Sequence, residues 1–124
     1  MVQLKSLSDA LAQVETTRRG LGILSQERPE GWKKDYANLR LTLEKQFTYM
    51  LNIGDEWLAR RGDIVSIQHF RDVAGKARTK LVQHQSRWPV IIIKPDAPDY
   101  RRSMVEIDRA FSEIISLVQT LSKT

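Results

Sequence analysis

The stretch SIQHFRDVAGKARTKLVQHQSRW (residues 66–88) decides between two folds. Its apolar side chains recur in steps of three and four residues, which is the pattern of one face of an amphipathic helix. Gly75 lies at the centre, where a glycine is tolerated in a helix but also permits a turn. The stretch therefore predicts either one helix over 66–88 or a helix-turn-helix broken at Gly75.

Three further segments around this stretch show helical periodicity, at 6–19, 34–61 and 99–122. The run of β-branched residues at 90–93 lies between two prolines and predicts a short extended segment. We expect an all-α fold, a small helical bundle of four to five helices, in a single domain spanning 1–124. The alternatives within it are one helix at 66–88 or an embedded helix-turn-helix.

Local signals place the helix ends. Gly20 with Gly22 is expected to end the first helix, and Gly62 the second. Ser66 is expected to be the N-cap of the third helix and Asp99 that of the last, because their side-chain oxygens can accept a hydrogen bond from a free backbone amide.

The last helix carries an apolar seam with heptad spacing over about three heptads. We expect this seam to pack either on its own domain or on a second copy of the chain, as a homodimer. Its members are Tyr100, Met104, Ile107, Phe111, Ile114, Val118 and Leu121.

The chain has no cysteine, which excludes disulfides and thiolate chemistry and fits a reducing compartment. The N-terminal residues lack an apolar run of signal-peptide length, and no segment is long and apolar enough to span a membrane. We therefore expect a cytoplasmic protein with no membrane partner.

Positive charge is unevenly distributed. Residues 1–59 carry eight basic and eight acidic side chains, whereas residues 60–94 carry eight basic and only two acidic ones. Such asymmetry is typical of a surface that meets a polyanion or an acidic protein, although a solvated helix face gives the same pattern.

The sequence offers little for catalysis. His69 and His84 are the only histidines, and fifteen residues separate them, so on one helix they would lie about four turns apart. We expect His84, in the apolar stripe, to be a hydrogen-bonded and partly buried side chain. No phosphate loop, metal cluster or cofactor motif is recognisable, so we expect a protein that is not an enzyme and has neither metal nor cofactor.

A helical wheel of the second half of the stretch places cations beside hydroxyl and amide side chains. Lysine and arginine contact phosphates, whereas amides and hydroxyls can contact base edges. The expected nucleic-acid-binding residues are Arg60, Arg61, Arg71, Lys76, Arg78, Thr79, Lys80, Gln83 and Arg87.

A local family resemblance covers about a quarter of the chain, at 57–88. Phe70 to Gly75 followed by Arg78 resembles the winged-helix modules of the selenocysteine-specific elongation factor. The longer run from Trp57 to Trp88 is similar to the N-terminal DNA-binding region of plasmid regulators of the KfrA type. Either resemblance implies a helix-turn-helix whose second helix, from Ala77 to Arg87, contacts DNA.

Two functions remain open from the sequence. The first is a small basic DNA-binding protein that uses the Lys76 to Arg87 helix, such as a transcription regulator of a mobile element or phage, dimerising through the seam. The second is a non-enzymatic protein-interaction bundle (an adaptor, inhibitor or secretion partner) that binds an acidic protein surface.

Overall fold

A computed structural model describes residues 4–122 of the chain, and four α-helices account for most of that range. They are α1 (Leu4–Glu27), α2 (Trp32–Arg61), α3 (Ile64–Arg87) and α4 (Pro98–Leu121). A short 3-10 helix, Val90–Ile92, lies between α3 and α4, and no strand occurs within 4–122. The predicted all-α bundle is confirmed. The expected domain 1–124 also includes residues 1–3 and 123–124, which lie outside the described residues.

The third helix is continuous through Gly75, so the helix-turn-helix alternative is wrong and the single-helix alternative is right. Phe70, Ala74 and Ala77 are all buried on one face of α3. A turn at Gly75 would remove Ala77 from the helix face that Phe70 and Ala74 share. A glycine inside a helix costs only about 1 kcal/mol relative to alanine, which is less than burial of one large side chain contributes.

The N-cap of α3 is Asp63 rather than Ser66. The Asp63 carboxylate accepts a hydrogen bond from the backbone N–H of Ser66 at 3.0 Å, and the Ser66 hydroxyl donates a second one to it at 2.6 Å. These bonds hold the pKa of Asp63 below its usual value. The cap therefore lies three residues earlier than predicted, and the helix begins at Ile64.

The first helix continues past both glycines to Glu27, so the predicted end near Arg19 is wrong. Leu21 between the glycines and Ser25 beyond them are buried, and their packing keeps this part of the chain helical. The second helix begins at Trp32 instead of residue 34. It ends as predicted at Gly62, whose φ of 70° is a conformation that glycine adopts without strain.

The connector to α4 also differs from the expectation. Residues 90–92 form one 3-10 turn, and only Ile93 is extended and buried. The last helix begins at Pro98, with Ala97 at the N-cap position. Asp99 is not the cap. It lies in the first turn, where its carboxylate pairs with Arg87 and Arg102.

Consecutive helices run antiparallel in an up-down-up-down bundle. Along α3 and α4 the paired residue numbers change in opposite directions, from Lys80–Glu106 to Arg87–Asp99. Helices α2 and α4 run parallel across the bundle, because their paired residues rise together, from Tyr36–Tyr100 to Phe47–Phe111. Of the neighbouring pairs, α1 and α4 make the fewest close approaches, which leaves that side of the bundle the most open.

The apolar seam of α4 packs on its own chain. Six of its seven members are buried in the common core, and the seventh, Met104, packs against that core. The seam is therefore buried within its own bundle. A homodimer through the seam would require the four helices to separate first. Dimerisation through the seam is a prediction that we withdraw.

Replacing Gly75 with alanine tests the continuous helix. A Cβ at this position would meet no atom within 4 Å, and the backbone is already helical. We expect Gly75→Ala to raise the free energy of unfolding by about 0.5–1 kcal/mol, because alanine loses less conformational entropy on folding. Urea denaturation followed by circular dichroism measures the change.

Gly54→Ala is the matched control in α2. Its added Cβ would lie 2.5 Å from Cε2 of the buried Phe70 ring, so overpacking should lower the free energy of unfolding by about 1–3 kcal/mol. A destabilised Gly75→Ala variant would contradict the straight helix, since alanine is strained only where the chain turns with a positive φ.

Candidate binding face and buried polar cluster

The outward side of α3 is the most basic element of the bundle. This helix carries five lysine and arginine side chains against one aspartate, and all six are exposed. We call the exposed positions of α3 from Arg71 to Arg87 the α3 face. It contains seven of the nine predicted nucleic-acid-binding residues: Arg71, Lys76, Arg78, Thr79, Lys80, Gln83 and Arg87.

Most cations of the α3 face have a carboxylate beside them. Arg71 binds Asp55 of α2 at 3.0 Å, and Lys80 binds Glu106 of α4 at 3.2 Å. Arg87 binds Asp99 at 2.9 Å, and Lys76 lies 3.4 Å from Asp72 one turn earlier. Exposed pairs of this kind contribute at most about 1 kcal/mol each, so an incoming partner can displace them at little cost.

Of the seven predicted binding residues on the α3 face, Arg78, Thr79 and Gln83 have no ion pair or side-chain hydrogen bond within residues 4–122. They are exposed, and on the helix they point in directions spread over more than a quarter turn. These three are therefore ready to accept an external partner but do not form one narrow row.

The structure does not bring Arg60 and Arg61 to the same place as Arg87. The first two end α2, next to the beginning of α3, whereas Arg87 ends α3 about 35 Å further along its axis. Arg60 pairs with Glu56, and the Arg61 guanidinium stacks on the Trp57 ring at 4.8 Å. The nine predicted residues therefore do not form one compact site.

A buried polar cluster, which was not predicted from the sequence, lies in the bundle core at the end away from Arg60 and Arg61. The hydroxyls of Tyr36 and Tyr100 lie 2.6 Å apart, and Nδ1 of His84 lies 2.7 Å from the Ser103 hydroxyl. The centres of the His84 and Tyr100 rings lie 4.8 Å apart, with the ring planes tilted by 59°. His84 is 3% exposed, as expected for a hydrogen-bonded histidine in the apolar stripe.

Arg40 completes the polar cluster from α2. Its Nη1 donates to the backbone carbonyl of Trp88 at 2.7 Å, and its guanidinium lies 4.9 Å from the Tyr36 ring centre. Three buried nitrogens in this cluster have no hydrogen-bond partner among residues 4–122, namely Nη2 of Arg40, Nε2 of His84 and Nε1 of Trp88. Unpartnered buried polar atoms are rare in folded proteins, so they mark a place where a ligand or water can bind.

Burial and positive charge set the titration of this cluster. Burial, aided by the nearby Arg40 cation, lowers the pKa of His84 to about 4, so the imidazole is neutral at pH 7. Burial, with the neighbouring Tyr36 hydroxyl, raises the pKa of Tyr100 well above its usual value. At neutral pH the cluster therefore carries one positive charge, on Arg40.

The His84–Ser103 contact resembles the pair of a general base and a hydroxyl nucleophile. This pairing was not predicted from the sequence. Ser103 lines neither the cavity beside the cluster nor the groove between α1 and α4. Both residues lie inside helices, whose backbone amides are engaged in helical hydrogen bonds and leave no donors for an oxyanion. We interpret the contact as one that orients the imidazole.

A sequence signal for the cluster does exist. Tyr36, His84 and Tyr100 occupy core positions in the apolar stripes of three different helices, and each is a polar aromatic residue near the same end of the bundle. The sequence did not reveal the register between α2, α3 and α4, and it is this register that brings the three side chains together.

Comparisons with protein families, with curated proteins and with solved structures found no match to this chain. The resemblances at 57–88 therefore stay predictions, while the helix-turn-helix that they imply is absent from α3. Among the described residues, no helix has the length and apolar character needed to cross a membrane.

The pH dependence of stability tests the buried neutral histidine. Between pH 6.5 and about 4 the unfolded chain binds a proton at His84 and the folded chain does not. Stability should therefore fall as the pH drops through this window, by about 1 kcal/mol per pH unit. Urea unfolding between pH 5 and 7 measures the slope.

His84→Gln supplies the control, since glutamine can keep a hydrogen bond to Ser103 but does not titrate. The exposed carboxylates contribute equally to both proteins, so the difference between the slopes belongs to His84. Identical slopes would mean that His84 titrates in the folded protein as it does in the unfolded chain.

Proposed function

We propose that this chain is a non-enzymatic binding bundle that presents the α3 face to an acidic partner. The observation that carries the proposal is the charge of α3 itself, five cations against one carboxylate, all exposed. Complementary charge of this kind raises the association rate and selects partners by sign.

An acidic protein surface is the partner that the geometry favours. Asp72, Asp99 and Glu106 each lie within 3.4 Å of a cation of the α3 face. Against a phosphate backbone these carboxylates would lie close to like charge, whereas a protein surface can place a lysine or an amide opposite them. The continuous helix also lacks the turn that sets a recognition helix apart from the rest of a DNA-binding domain.

Duplex DNA is the second candidate partner, and one observation favours it. Thr79 and Gln83 are exposed and unpartnered between Lys76, Lys80 and Arg87, so amide and hydroxyl groups lie beside three cations. The amide and hydroxyl groups could contact base edges while the cations contact phosphates. A small regulator from a mobile element or phage would fit this use.

Charge reversal on the α3 face tests both candidates. The probes are a fluorescein-labelled random duplex and a labelled glutamate-rich helical peptide, titrated by fluorescence anisotropy over a salt series. We expect the peptide to bind, and the triple variant Lys76→Glu, Arg78→Glu, Lys80→Glu to abolish its binding. If DNA is the partner, five phosphate contacts would give a slope of about −4.5 in log affinity against log salt.

The matched control reverses Lys5, Lys34 and Lys45, which are exposed on α1 and α2 and have no ion pair within residues 4–122. It changes the net charge by the same amount and should leave binding to the α3 face intact. Equal loss in both triple variants, or no binding of either probe at low salt, would contradict the proposal.

A further inference from the structure

A cavity of about 70 Å³ lies beside the polar cluster, where all four helices contribute to its wall. Its polar lining includes Arg40, His84, Tyr36 and Tyr100, and its apolar lining includes Leu43 and Leu81. Since a cavity needs roughly 10–15 Å³ to hold one water, this cavity has room for a small head group.

A larger groove of about 870 Å³ runs along the open side of the bundle between α1 and α4. Groove and cavity adjoin, because their linings share six residues: Arg18, Gly22, Ser25, Tyr100, Met104 and Asp108. A Cβ at Gly22 would meet nothing within 4 Å, which shows that the helix surface is open there. Volumes of this size are typical of small-molecule sites.

Arg40 is a partly buried cation without a counter-ion in the part of the chain that the structure describes. It forms no ion pair with any carboxylate of residues 4–122, and its Nη2 is buried and unpartnered. Buried charges are normally paired, because removing an ion from water costs several kcal/mol. An arginine kept in such a place beside a cavity is the usual arrangement for binding an anionic ligand.

A second donor is available next to it. When the Ser103 hydroxyl donates to Nδ1 of His84, the proton of the neutral imidazole lies on Nε2, which is buried and unpartnered. Arg40 and His84 both line the cavity, and the field of the Arg40 cation reaches the imidazole. One guanidinium N–H and one imidazole N–H can together hold the two oxygens of a carboxylate.

The charge of the cavity and the side chains that line it indicate which class of anion it can bind. Arg18 and Asp108 also line the cavity but pair with each other, so Arg40 supplies the one positive charge without a carboxylate beside it. A single charge matches a monoanion better than a phosphate dianion. The leucine side chains in the wall favour an apolar carbon body next to the head group. We propose that the cavity binds a small carboxylic acid, with the carboxylate on Arg40 and His84 and an apolar body directed toward the groove between α1 and α4.

Benzoate and sulfate are the probes, titrated at constant ionic strength into the ¹⁵N-labelled wild-type protein and followed by two-dimensional NMR. We expect benzoate to give saturable shifts centred on Arg40, His84 and Tyr100, and sulfate to give none there. Benzoate should also raise the pKa of His84, measured from the imidazole resonances, because a bound anion stabilises the imidazolium.

Arg40→Met removes the charge with little change in size and should weaken benzoate binding by at least about tenfold, the loss expected for one charge-assisted hydrogen bond. Arg109→Met, at an exposed arginine of α4 with no ion pair within residues 4–122, is the matched control and should not change the affinity. Shifts that are spread over the surface, equal for sulfate, or unchanged in Arg40→Met would overturn the proposal.

Comparing benzoate with sulfate in the wild-type protein tests whether the cavity binds a carboxylic acid, even if Arg40→Met does not fold. The proposal is independent of the α3 face, because none of its probes depends on Lys76, Arg78 or Lys80. A protein that bound benzoate but no acidic peptide would support this site and contradict the proposed function.

Discussion

The contact between the Phe70 ring and the backbone at Gly54 is the constraint on which the arrangement of α3 depends. Phe70 is 1% exposed and lies so close to α2 that Gly54 has no room for a side chain. This close approach fixes the rotation and the height of α3 against α2. It consequently sets which residues of α3 point outward as the α3 face, and it brings Arg71 to Asp55.

The same rotation turns His84 inward, four turns further along α3. There it meets Tyr100 and Ser103 of α4, while Arg40 of α2 reaches the end of α3 through the Trp88 carbonyl. Polar side chains in a core must be satisfied by partners, and this cluster satisfies only some of them. Natural sequences depart from ideal packing mainly at functional sites, which is why we interpret the unpaired cation as functional.

The sequence predicted the fold class because apolar periodicity is a local property. The stripes that contain Leu43, Phe47 and Phe111 were recognisable without any knowledge of the partner helix. Glycine misled the prediction of α1, since its helix penalty is small and the packing of Leu21 outweighs it. The α3 cations could be named, but their pairing with Asp55, Glu106 and Asp99 depends on register between helices, which no single segment encodes.

The central claim is that α3 is one straight helix that presents its cations on the outside of a bundle. Because the chain has no cysteine, Gln68→Cys with Ser86→Cys creates a unique pair of spin-label sites at two exposed positions of α3. Electron-electron double resonance should give one narrow distance near 27 Å, the rise of eighteen helical residues. A main distance near 20 Å would indicate two arms meeting at about a right angle at Gly75, and would contradict the account.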